Sequence, residues 1–428
     1  MTEDTVSILR TFVFLNFQFN KCATHRGEQN MSGQIVKLMC GIVLLGMVTG
    51  AHAQSDAVGS QVEFPSVAKM NAARPSTSVP LGLPEVTYPK DNPQTRAKIA
   101  LGELLFKDKR FSTTKEVSCS TCHLPEKAFT DSPLKVSEGI DKLTGTRNAP
   151  TVLNSVYATT LFWDGRSPSL EDQALHPFVN PVEMGLKDHQ PILDIIRSDP
   201  DYRKRFKAVF GKRGKAITMT EVTQAIAAFE RTVISGNSPF DRWYYGGEED
   251  ALTEAQKRGF NLFVNEGRCV SCHVIEQTQA TFTDNLFHNI GVGINDIQED
   301  VPKLAGEFLQ AEATASEVDI QVLTDKRTSE LGRFAISRNF DGLGAFRTPT
   351  LRNIAVTAPY MHDGSLETLK EVVEHYNNGG ITNEGDPVND FLSGGIRPLN
   401  LSEAQIDDLV AFMESLTSPE FAQAIEKK

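Results

Sequence analysis

Apolar residues recur at three- and four-residue intervals in four stretches of this chain, and a helix start signal precedes each. In the first, Asn92-Pro93 puts a proline at an expected first helical position ahead of QTRAKIALGELLFKD, where Ile99, Leu101, Leu104, Leu105 and Phe106 make one apolar face. In the second, Thr218-x-x-Glu221 is a capping box before Val222, Ala225, Ile226, Phe229 and Val233, and the stretch is expected to end in a loop, SGNSPFDRWYYGGEED. The third opens at Thr253-x-x-Gln256 and runs through EAQKRGFNLFVNEGRCVSCH. The fourth opens at Ser402-x-x-Gln405 and carries Ile406, Leu409, Val410, Met413 and Leu416, which makes Met413 a core residue. No stretch alternates as a strand. The reading is therefore mainly α, with long loops between helices.

The first and third stretches are copies. Gly102-x-x-Leu105-Phe106 precedes CSTCH at 119–123, and Gly259-x-x-Leu262-Phe263 precedes CVSCH at 269–273. Such an internal duplication predicts two domains, 92–250 and 251–418, with a tail at 419–428. Ahead of them, residues 54–91 read as an extended lead-in rich in Ser, Pro and Val. From Met31, MSGQIVKLMCGIVLLGMVTGAHAQ has one lysine, an apolar run from Leu38 to Val48 and a small-residue end at Ala51-His52-Ala53. That pattern is an export signal, so 1–53 reads as an upstream extension plus a removed signal peptide. The run is too short to span a membrane, and the mature chain is expected to have no span.

Cysteine usage sharpens the picture. Of six cysteines, Cys22 and Cys40 fall in the removed segment, so each remaining one, Cys119, Cys122, Cys269 and Cys272, belongs to a Cys-x-x-Cys-His. A redox dithiol has no need of the histidine, and a zinc site would have to join two pairs about 150 residues apart. The spacing fits covalent c-type haem: two thioethers fix the porphyrin and the adjacent His123 or His273 becomes the proximal iron ligand. The formal charge of −12, about −13 without 1–53, excludes nucleic acid as an expected partner and fits a secreted, periplasmic protein.

From about residue 93 to 418 the chain resembles the bacterial dihaem cytochrome c peroxidase and MauG family. The resemblance rests on RNAPTVLN (147–154), LFWDGR (161–166), EDQALHPFVNPVEMG (171–185), FRTPTLRN (346–353) and TAPYMHDGSLETL (357–369), in family order around the two haem motifs. It implies two cytochrome c-like domains, each wrapping one covalent haem c. The N-terminal haem would react with H2O2 and the C-terminal one would transfer electrons. Trp163 matches the tryptophan between the haems. Glu183 and Gln173 match the acid and amide on the open face of the first haem, with Pro177 in the same pocket. Asn148, Thr357 and Pro359 match ligands of one calcium ion between the domains. Electrons would come from a small redox protein, a cytochrome c or cupredoxin; in the MauG branch the partner is instead a protein whose residues are oxidised.

Two departures matter. Where standard family members carry a histidine that blocks the first haem, this chain has Ile140, and no histidine lies between His123 and His176. Where they carry a methionine ligand to the second haem, this chain has Tyr376, as MauG does, with His375 and Met361 as alternative ligands. His288 reads as structural. Against the MauG branch, FVNEGRCVSC lacks a tryptophan before the second motif.

Overall fold

The computed structural model describes residues 79–310, 314–381 and 389–425. The expected leader with Cys22 and Cys40, most of the lead-in and residues 426–428 lie outside the described residues. Five helices frame the two cysteine motifs: α1 (Arg96–Phe106), α2 (Met219–Glu230), α3 (Glu254–Val264), α4 (Ala315–Thr324) and α5 (Glu403–Glu414).

The duplication seen in the sequence is a duplication of one helix crossing. A Cβ placed on Gly102 of α1 would stand 1.8 Å from the Ala225 carbonyl oxygen of α2, and one placed on Gly259 of α3 would stand 1.9 Å from the Asp408 carbonyl oxygen of α5. Only glycine lets the two backbones approach that closely. Behind each glycine the same Leu-Phe pair is buried: Leu105 and Phe106 in one hydrophobic cluster, Leu262 and Phe263 in a second. The second cluster also takes Ile406, Leu409, Phe412, Met413 and Leu416, so Met413 is a core residue.

A third cluster spans residues from Ile294 to Leu343 and includes the inward face of α4. This segment reaches across to the first half of the chain. Thr146 donates from Oγ1 to the Val322 carbonyl at 2.7 Å, and Arg147 donates to Ser329 at 2.6 Å.

Several expectations change. Helix α1 starts at Arg96 under a Thr95 cap and not at Pro93, because Asn92 is a tertiary anchor: it accepts from Lys98 Nζ at 2.7 Å and donates to Glu171 at 2.6 Å. Order starts earlier than Asn92, since Gly82 accepts from Arg352 at 2.7 Å. Leu104 points outward and is exposed. The expected loop after α2 contains a short helix, Pro239–Tyr244, with a Ser238/Asp241 capping box whose aspartate also takes the buried Arg352 guanidinium. One ribbon does form, Phe287–Asn289 antiparallel to Ala345–Arg347, with Phe287 opposite Arg347. Strands of three residues are too short for alternation to show.

Candidate active site

Each Cys-x-x-Cys-His follows its glycine helix, the first beyond an extra turn at Lys109–Phe111, and the two histidines are set alike. The Phe106 ring lies 6.4 Å from the His123 ring, and Phe263 lies 6.5 Å from His273. Nδ1 of His123 faces the Phe129 carbonyl at 3.1 Å, and Nδ1 of His273 faces the Phe282 carbonyl at 2.9 Å. A carbonyl only accepts, so Nδ1 carries the proton and the Nε2 lone pair is left for a metal. Both carbonyls are aimed by residues in left-handed backbone, Phe129 at φ 57° and Phe282 at φ 53°. Bulky residues rarely adopt that region, and such outliers gather at functional sites. Burial also lowers the pKa of both imidazoles, which keeps them neutral and ligating.

The four cysteines are free thiols, and burial pushes Cys119, Cys122 and Cys269 up, Cys122 and Cys269 to about 12. A redox dithiol needs a depressed thiol pKa, so this setting opposes that reading. Among the described residues the two cysteine pairs do not meet at a metal-sized centre; the one group of ligand type is Cys272, Asp284 and His288. His288 Nε2 donates to the Asp284 carboxylate at 2.7 Å, and that contact and its neighbour Cys272 raise its pKa to about 10. A sulfur carried into a thioether offers no thiolate, so this trio and haem attachment exclude one another. Paired cysteines, an oriented neutral histidine and flanking aromatics fit haem c at both motifs.

The Asn180–Gly185 loop carries Glu183. The Val182 and Gly185 amides donate to Asn180, and the Ile140 amide donates to the Glu183 carbonyl at 2.9 Å. Gly185, at φ 71°, has no room for a Cβ, which would lie 2.2 Å from Ile140 Cδ1. Ile140 is thus packed under the Glu183 loop. The Glu183 carboxylate adds to the upward push on the Cys119 and Cys122 thiols, after burial. Burial and then the Asp319 carboxylate raise its pKa to about 7, against the opposing pull of Arg166 and His176. A carboxyl poised there can both take and return a proton near neutrality. Gln173 ends the Leu170–Gln173 turn, capped by Ser169, and Pro177 accepts from the Met184 amide at 3.3 Å.

Trp163 lies where the two halves meet. Its Nε1 donates to the Asn148 carbonyl at 2.9 Å, its own carbonyl accepts from Arg347 at 2.8 Å, and its ring meets His362 edge-on at 6.5 Å. His362 in turn stacks on Phe346 at 3.6 Å and bonds Glu330 at 2.6 Å. Asn148 uses its side-chain amide on the Leu134 and Lys135 carbonyls, while Thr357 and Pro359 flank the cis Ala358–Pro359 bond. Those three residues offer only neutral oxygens to a cation.

At the second motif, burial raises the pKa of the Tyr376 phenol, and the Cys272 and Cys269 sulfurs add to that rise. Its neighbour His375 is turned to the Ile290 carbonyl at 2.8 Å. Met361, at φ 74°, packs at the edge of the second cluster.

Two groups escaped the sequence reading. Asp319 comes from α4, some 150 residues beyond the motifs it serves, and no local pattern marks it. Arg347 sits inside a quoted motif yet received no role: burial lowers its pKa to about 10, and its guanidinium donates to the Phe162 and Thr348 carbonyls, at 3.5 and 3.4 Å. A buried cation of this kind suits a carboxylate from a bound group.

Comparison with known proteins bears on this arrangement. The di-haem cytochrome c peroxidase family pattern matches residues 96–250. The chain is 37% identical over 332 residues to the methylamine utilization protein MauG of Methylorubrum extorquens, covering 77% of this chain and 81% of that protein. It is 36% identical over 374 residues to the cytochrome-c peroxidase IdrP1 of Denitromonas iodatirespirans, covering 86% and 94%. Among solved structures, a MauG-like protein associated with microbial copper homeostasis superposes with a TM-score of 0.64 at 34% identity, over 80% of this chain and 95% of that one.

Proposed function

Because the chain belongs to the dihaem cytochrome c peroxidase and MauG family of oxidoreductases, with two haems, we propose that it reduces H2O2 to water in the periplasm with electrons from a small redox protein. Cys119, Cys122 and His123 would hold the haem that meets peroxide; Cys269, Cys272 and His273 would hold the one that passes electrons. Bound haem supplies the electrons and the iron at which the O–O bond breaks. Glu183 takes the proton from the oxygen nearer the iron and returns it to the leaving oxygen, and Gln173 orients the substrate. Trp163 joins the halves, and Asn148 Oδ1 with the Thr357 and Pro359 carbonyls would hold one Ca²⁺ beside it.

The observation that carries this reading is the Glu183 loop packed on Ile140 beside the first cysteine pair. With no histidine on that segment, a haem held at the first motif would have none to release from it, and peroxide would be able to react with the fully oxidised protein. A MauG-like oxidation of a partner protein is the second reading, and Tyr376 beside the second cysteine pair favours it: a phenolate ligand stabilises oxidised iron. Among the described residues no helix is long and apolar enough to cross a membrane.

Stoichiometry separates the two. Under anaerobic steady state with a reduced cytochrome c or cupredoxin, the first reading expects two donor molecules oxidised per peroxide consumed. Peroxide consumption that leaves both donors reduced would remove it in favour of the second.

A further inference from the structure

Reduction of peroxide, H2O2 + 2 H⁺ + 2 e⁻ → 2 H2O, consumes two protons, with the electrons supplied by the reduced donor protein. Glu183 shuttles a proton between the two oxygens but supplies neither of those two. We propose that Asp172, His176 and Asp319 form the proton inlet of the peroxide pocket, passing protons from solvent to Glu183.

The three side chains grade from surface to interior: Asp172 is 39% exposed, His176 22% and Asp319 4%. His176 stands between two carboxylates, with Nε2 at 3.5 Å from Asp172 and Nδ1 at 3.7 Å from Asp319. An imidazole so placed accepts a proton on one nitrogen and releases one from the other, and a small tilt or one bridging water closes each gap. No bond other than N–H and O–H changes.

The surroundings hold the relay in a working state. Phe162 meets the His176 ring edge-on at 5.6 Å and carries the Arg166 guanidinium on its face at 3.5 Å. Arg166 donates to Asp319 at 2.6 Å and to Asp164 at 3.0 Å. The charged groups that face the imidazole are Asp172 on its own segment, Asp319 from α4, Arg166 from the turn before and Glu183 from the loop after. Burial opposes charge on both partners, but the His176–Asp319 contact outweighs it: the His176 pKa is raised and that of Asp319 lowered. The pair therefore holds a proton near neutrality. Asp319 also ranks second among the causes that raise Glu183, so its charge favours delivery to that carboxyl. Because Asp319 arrives on α4, the second half of the chain completes the pocket of the first.

The inlet rests on Glu183 as the acid–base group, and the test keeps the two apart. In the dihaem protein, His176→Leu should lower turnover at saturating peroxide by about 10-fold or more, and added inorganic phosphate, a proton carrier near neutrality that ligates haem iron far less readily than imidazole, should restore it. The ferric EPR spectrum should stay unchanged. Asp172→Asn, which leaves the buried pair intact, should show a smaller loss with the same rescue and a shifted pH profile. Glu183→Gln should be slow and not rescued. If Glu183→Gln turns over normally while the His176→Leu loss is still rescued, the inlet stands and feeds another acceptor. Unchanged turnover and pH profile in both inlet variants, or a His176→Leu loss that phosphate does not restore, would overturn it.

Discussion

Glu183 is asked to do the most chemistry, and its setting says how it should respond to pH. Its pKa is raised to about 7, by burial first and Asp319 second. In its proposed role as the base that takes the peroxide proton it would be competent only when ionised, so the rate constant for reaction with H2O2 should rise with pH through about 7 and level above it. Glu183→Gln should lower that rate constant by about 10²-fold or more with haem content intact. A profile that falls across this range would assign the base elsewhere. If Tyr376 ligates the second haem, Tyr376→Met replaces a hard anionic donor by a thioether, so that haem's potential should rise and its spectrum change. A spectrum identical to wild type would remove tyrosine as its ligand.

The helices and their duplication were legible in the sequence because periodicity, caps and the repeated glycine agree, whereas which helix crosses which was not. The Thr218, Thr253 and Ser402 capping boxes all form, and Gly102 and Gly259 occupy matching crossings. The path of the chain between helices was less legible. Asn92 carries a start-signal residue but spends its side chain on Lys98 and Glu171, and the Pro239–Tyr244 helix was hidden in a Gly-rich stretch. Asp319 could not be read at all, since its role depends on contacts with Arg166 and His176 far away in sequence. The crossings can be tested. Gly102→Ala or Gly259→Ala should destabilise by about 1–3 kcal/mol despite alanine's better helix propensity, because the added carbon meets backbone. Thermal melts at or above the wild-type midpoint would mean the helices can part cheaply.

Across both halves, contacts converge on Trp163, which bonds Asn148 on one side and Arg347 on the other. If Asn148, Thr357 and Pro359 hold calcium, chelation should loosen Asn148 and with it the indole. Electron exchange between the haems, followed after partial reduction, should then slow, and added Ca²⁺ should restore it. Exchange unaffected by chelation would detach the ion from the electron path. The third cluster, 294–343, adds a further tie, since Arg147 and Arg166 bond residues of that segment.

The claim that an open, histidine-free first site meets peroxide directly is tested most simply by stopped-flow mixing. All-ferric protein and equimolar H2O2 should give an immediate change in the haem spectrum with no reductant present. A spectrum that stays ferric until an electron is supplied would contradict it, because some group would then have to leave the iron before peroxide could bind.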